Sequence, residues 1–171
     1  MKSANLLVSL SMYSLAQAEN VIFKNQCEFS IDVYDNDRSC TLDAGSRWSP
    51  VHGCNSTFTR PTMYRHQQNP EATLAEFSVD ETKAWYDISI IPPGSPDDCM
   101  SLEECKERTH TTGYNVPVMI LPTRHLNAYG YRCHRVMCER DGCEDAYHYP
   151  KDNSKVHDCP NDEVFEVIYC P

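Results

Sequence analysis

The ten cysteines constrain this chain more than any other feature: they run from Cys27 to Cys170 and their number is even. In a chain of 171 residues that density fits a compartment where thiols oxidise to disulfides; in a reducing compartment the same count would point to metal sites. The first residues agree. Lys2 precedes the apolar run Leu6-Leu7-Val8-Ser9-Leu10, and Ala16-Gln17-Ala18 supplies small residues where a signal peptidase reads, so residues 1–18 are expected to be a signal peptide and 19–171 a single domain. The run is shorter than the ~18 to 20 apolar residues of a spanning helix, so no membrane anchor is expected. The protein should be secreted, extracellular or held in a cell wall.

Charge narrows the partners. With 25 acidic against 15 basic residues the formal net charge is −10. Nucleic acid is disfavoured, because binding to phosphates is driven by counterions released at Lys and Arg contacts, and anionic membranes are disfavoured for the same sign reason. Neutral polysaccharide and basic protein surfaces remain.

The hydrophobic pattern is that of strands. Val21-Ile22-Phe23 is followed by Phe29, Ile31 and Val33 alternating with polar residues, the period of a half-buried strand, and Asp35-Asn36-Asp37 ends it as a turn. Leu74–Val79 and Trp85–Ile91, separated by Asp80-Glu81-Thr82-Lys83, predict a hairpin; Val116–Leu121 and Val164–Tyr169 predict two further strands. One helix of two turns is expected over Ser101–Arg108, where Ser101 and Glu104 have the spacing of a capping box. Eleven prolines among short strands favour an all-β sandwich over helical or βαβ plans.

Eight segments, in order along the chain, carry a resemblance. They are Phe23-Lys24-Asn25-Gln26-Cys27, Leu42-Asp43-Ala44-Gly45 with Trp48, Thr73–Phe77, Trp85-Tyr86-Asp87-Ile88-Ser89, Gly113–Val118, Cys133–Cys138, Cys143–Tyr149 and Tyr169-Cys170-Pro171. Together they resemble the thaumatin-like family, also called osmotin-like or pathogenesis-related group five. The resemblance implies a flattened antiparallel β-sandwich and the disulfides Cys27–Cys170, Cys133–Cys159 and Cys138–Cys143. For the remaining four cysteines the simplest local pairing is Cys40–Cys54 and Cys99–Cys105. Two departures stand out. Only Glu139-Arg140-Asp141-Gly142 lies between Cys138 and Cys143, where long members carry a disulfide-rich lobe that walls their cleft, so a shallow, open, well-hydrated face is expected here. Residues 92–112 form an insertion with its own cysteine pair.

The resemblance also implies an acidic cleft that binds or slowly hydrolyses β-1,3-glucan. Glu76 and Asp87 match two of its acids and Asp145 a third; Thr112 stands where another Asp is expected; Arg65 and Arg60 are both candidates for the cleft arginine. Tyr147 and Tyr149 are rings that can stack on sugars, although aromatics in a small β-protein are mostly core. Glycoside hydrolysis requires one protonated and one ionised carboxyl, roles open to Glu76 and Asp87. The seven histidines show no metal-ligand spacing, no G-x-S-x-G string occurs, and no cofactor or metal is expected. Asn55-Ser56-Thr57 is a glycosylation sequon. The reading is thus a secreted, monomeric β-glucan binder with at most weak endo-β-1,3-glucanase activity, acting in defence, antagonism or wall remodelling. Its alternative is a secreted ligand or inhibitor of glycan-degrading enzymes that presents the 92–112 loop.

Overall fold

A computed structural model describes residues 19–46, 54 and 56–171. The leader, Trp48 and the sequon residue Asn55 lie outside the described residues. In chain order the elements are β1 (Glu19–Asn25), β2 (Ile31–Tyr34), β3 (Ser39–Leu42), β4 (Ser56–Phe58), β5 (Thr62–His66), β6 (Leu74–Val79), β7 (Lys83–Ser89), α1 (Leu102–Thr109), β8 (Val118–Pro122), β9 (Val136–Cys138), β10 (Ala146–Tyr147), β11 (His157–Pro160) and β12 (Val164–Tyr169).

The strands form two sheets. One has the order β4-β1-β12-β8-β9; the other runs β10-β7-β6-β5-β2-β3, with β11 also paired to β7. The fold is the expected β-sandwich with one short helix, but neither sheet is purely antiparallel. β1 runs parallel to β12, with Asn25 opposite Tyr169, and β10 runs parallel to β7. Parallel neighbours need a long crossover between them, and almost the whole chain intervenes between β1 and β12.

Period two decides which side chains enter the space between the sheets. Phe23, Phe58 and Phe165 enter from the first sheet, and Tyr64, Phe77 and Tyr86 from the second; all are buried. Ring centroids of Phe23 and Tyr64 are 4.8 Å apart, those of Phe77 and Phe165 5.2 Å, and those of Tyr86 and Phe165 4.9 Å. These tilted and edge-on contacts suit the quadrupoles of the rings while excluding water from both sheets. Phe29 departs from expectation. It precedes β2, is 51 % exposed, and lies against His66 with ring centroids 6.1 Å apart.

Five disulfides join Cys27 to Cys170, Cys40 to Cys54, Cys99 to Cys105, Cys133 to Cys159 and Cys138 to Cys143, the expected pairs, and no free cysteine occurs among the described residues. The insertion is ordered around α1. Ser101 Oγ accepts from the Glu104 N–H at 3.1 Å, while the Glu104 carboxylate reaches past the cap to the Met100 N–H at 2.9 Å, a capping box displaced by one residue. Leu102 is buried, Lys106 pairs with Asp141, and the Tyr114 hydroxyl donates to the Glu139 carbonyl at 2.8 Å. The helix therefore packs on the short 139–142 turn. Gly113 lets the chain leave the insertion at this point: a Cβ there would lie 2.2 Å from the Ile90 carbonyl oxygen.

Candidate functional site

Strands β6 and β7 build the floor of the site. Ala75, Phe77, Tyr86 and Ile88 point into the core, so the alternate residues Glu76, Asp87 and Trp85 must face outward. Register then sets Glu76 directly opposite Asp87 and Met63 of β5 opposite Glu76. Two acids at directly opposed positions repel unless one is neutral.

Above this floor is a cavity of about 640 Å³ whose lining includes Glu76, Asp87, Trp85, Tyr147, Arg60 and Met63. Its walls come from the Asp35-Asn36 turn on one side and from Tyr147, Pro150 and Val156 on the other. The 147–156 segment gives the cavity this second wall, but its mouth stays open and Glu76 and Asp87 are half-buried, in keeping with the open face expected without the lobe. β10 fixes the segment there by pairing Tyr147 with Ser89 of β7.

Burial and mutual repulsion bear on the protonation of the pair. Burial, then the charge of Glu76, then a hydrogen bond with Glu76 push the Asp87 carboxyl up to about 8. Burial also raises Glu76, with the Asp87 hydrogen bond pulling the other way. At neutral pH the two carboxyls hold a proton between them, and Asp87 Oδ1 is buried with no hydrogen-bond partner. Burial, followed by the Asp87 charge, pushes the Tyr147 phenol up to about 12, so it remains a hydrogen-bond donor. The Trp85 indole N–H donates to Asp80 Oδ2 at 2.8 Å, which fixes the ring.

The remaining residues singled out in the sequence lie elsewhere. Arg65 shares the outer face of β5 but is opposite Tyr34, and its guanidinium lies 5.1 Å from the Tyr34 ring centroid. Arg60 is the arginine on the cavity. Asp145 is exposed, accepts the Met137 N–H at 3.1 Å, and lines a separate shallow pocket with Glu139 and Arg140. Trp85, two residues before Asp87 on β7, lies on the same face and lines the cavity. Nothing in the sequence marks Pro150 or Val156, which reach the cavity through an irregular loop.

The chain is 29 % identical over 132 residues to a thaumatin-like protein of Oryza sativa subsp. japonica, a match that covers 77 % of this chain and 57 % of that protein. It is 27 % identical over 103 residues to thaumatin-like pathogenesis-related protein 3 of Avena sativa, covering 58 % of this chain and 42 % of that one. Among solved structures it is similar to the protein elicitor MoHrip2 from Magnaporthe oryzae, with a TM-score of 0.52 at 15 % identity, over 90 % of this chain and all of that one. The sequence is thus similar to thaumatin-like proteins over about three quarters of its length. No protein-family model matches it. The first match spans little more than half of the rice protein's length, and between Cys138 and Cys143 this chain has four residues only. Among the described residues no helix is long and apolar enough to cross a membrane.

Proposed function

We propose that this protein is exported and binds neutral, hydroxyl-rich polysaccharide of the β-glucan class in the cavity over β6 and β7, in a defence-associated setting. The observation that carries the reading is the carboxyl pair Glu76–Asp87 on the floor of a cavity flanked by Trp85 and Tyr147. A protonated carboxyl beside an ionised one offers a donor and an acceptor at adjacent points, which suits neighbouring sugar hydroxyls, and the rings can stack on the apolar face of a pyranose. The family, and the name of its pathogenesis-related oat member, support the defence setting.

The same geometry favours binding over hydrolysis. A retaining glycosidase separates its carboxyls by about 5 to 5.5 Å and an inverting one by about 6.5 to 9.5 Å, leaving room for the sugar or for a water. Glu76 and Asp87 are directly opposed on neighbouring strands of one floor, so they sit together on one side of any bound chain rather than bracket its glycosidic bond.

Titration calorimetry with a β-1,3-gluco-oligosaccharide tests the reading. Wild type should bind, and Asp87→Ala and Trp85→Ala should each weaken binding about tenfold or more, the loss of ~1.4 kcal/mol or more. No heat at millimolar sugar, together with no retention on insoluble glucan, would end it. Steady release of reducing ends from the polymer would replace binding with turnover.

A further inference from the structure

The surface that adjoins the cavity along β7 is built as if a longer ligand continued over it. Lys83 and Trp85 are two residues apart on β7 and so share its outer face. The Lys83 ammonium is 2.6 Å from Asp158 Oδ2, 5.1 Å from the Trp85 ring centroid and 5.4 Å from the Tyr131 ring centroid. One anchored cation therefore fixes two aromatic rings, of which Trp85 also lines the cavity and Tyr131 stands outside it. Next to Tyr131, the Arg132 guanidinium donates to the Ser154 carbonyl at 2.7 Å, and its charge reaches the Tyr147 phenol at the cavity wall.

The loop that supplies Tyr131 is held rigidly and carries unused apolar surface. The buried Glu163 carboxylate accepts the N–H groups of Thr123, Arg124 and His125 at 2.7 to 2.8 Å. Across the loop the Asn127 N–H donates to the Cys133 carbonyl at 2.7 Å, and Cys133 is tied to Cys159 of β11. On this fixed frame Tyr129 is fully exposed and Leu126 is 45 % exposed. Residues 123–138 hold three arginines, two histidines and no acid, in a chain with 25 acids.

We propose that Trp85, Lys83, Tyr131 and Tyr129 form an aromatic platform that extends the cavity and takes a second stretch of the same polysaccharide chain, so that the protein prefers long chains to short oligosaccharides. The proposal rests on the carbohydrate-binding reading and adds length selection to it. A polysaccharide fits better than a protein partner because the platform is continuous with the cavity through Trp85 and consists of separate rings with the Lys83 ammonium between two of them, not one broad apolar patch. Trp85 and Tyr131, held beside Lys83 before binding, lose little entropy when a sugar stacks on them.

Affinities of the wild type and of Tyr131→Ala and Tyr129→Ala for a β-1,3-linked glucose trimer and decamer decide the matter. The decamer should bind wild type about tenfold or more tighter than the trimer; both variants should keep trimer affinity and lose most of that gain. Tyr129 packs against nothing, so its variant keeps the fold, and a melting curve checks the same for Tyr131→Ala. A decamer that binds wild type no tighter than the trimer overturns the platform alone, as does a length gain that survives in both variants, which would leave Tyr129 to a different partner. Absence of trimer binding by wild type overturns the cavity reading, and the platform with it.

Discussion

Asp87 keeps its proton because burial disfavours its charged form and ionising it would place a second negative charge beside Glu76. In the unfolded chain its carboxyl has the ordinary value of 3.8, and in the folded protein about 8. The folded state thus binds more protons across that window, and the stability this contributes is complete below the unfolded value and lost as pH rises through about 8. The melting temperature should therefore fall between mildly acidic pH and pH about 9, while Asp87→Asn, which cannot ionise, should give a flatter profile and be the more stable protein at the alkaline end. Parallel profiles for the two proteins would refute the shared proton. Glu163 is the opposite case, a buried carboxylate paired entirely with backbone donors, including its neighbour Val164 at 2.8 Å. Removing it in Glu163→Ala leaves several N–H groups without partners, at about 1 to 3 kcal/mol each, so a loss of about 3 kcal/mol or more should appear in urea denaturation. The two acids were unequally legible. Glu76 and Asp87 announce themselves by alternation with core residues, but Asn161-Asp162-Glu163 reads as a solvated turn, and only the return of residues 123–125 from far along the chain makes Glu163 a structural centre.

Legibility at the scale of elements followed the amount of apolar surface each strand buries. β6, β7, β8 and β12 contribute alternating or continuous apolar residues and stand out from the sequence. β5 buries only Tyr64 fully, β11 buries Asp158 in place of an apolar residue, and β10 is two residues long, so none has a period to read. Pairing was hidden for another reason: the parallel contacts of β1 with β12 and of β10 with β7 depend on distant chain, and strand propensity carries no direction. The crossing at Gly113 is an element-scale constraint that can be tested. Its missing side chain lets the end of the α1 insertion pass against the backbone that continues β7, and the nearest atoms to an added Cβ are the carbonyls of Ile90 and Ile91, at 2.2 and 2.5 Å. Backbone cannot rotate away as a flexible side chain can, so Gly113→Ala should destabilise by about 2 kcal/mol or more and loosen the contact of α1 with the 139–142 turn. Faster amide exchange in α1 than in β6, relative to wild type, is the expected pattern; an unchanged melting temperature would show that the insertion shifts freely.

For the molecule as a whole, the Cys27–Cys170 disulfide sets how much of the chain the unfolded state must leave closed. The bridge spans 143 residues and sits where β1 and β12 end side by side, with the Gln26 N–H donating to the Tyr169 carbonyl at 2.9 Å. Four further bridges nest within its loop, and three of them shorten the free contour: Cys133–Cys159, which already contains Cys138–Cys143, removes 26 residues, Cys40–Cys54 removes 14 and Cys99–Cys105 removes 6. What remains is on the order of a 100-residue loop, for which chain entropy assigns about 4 to 5 kcal/mol. Replacing both cysteines with alanine should lower unfolding stability by that amount, while oligosaccharide affinity measured well below the melting point stays unchanged, since the cavity over β6 and β7 belongs to the other sheet. A loss below about 1 kcal/mol would mean that the nested bridges alone already restrict the unfolded chain. Weakened sugar binding in a still-folded variant would mean instead that the paired β1 and β12 hold the opposite sheet in shape through the Phe23, Tyr64, Phe77 and Phe165 contacts, and the cavity would then depend on the closure of the whole chain.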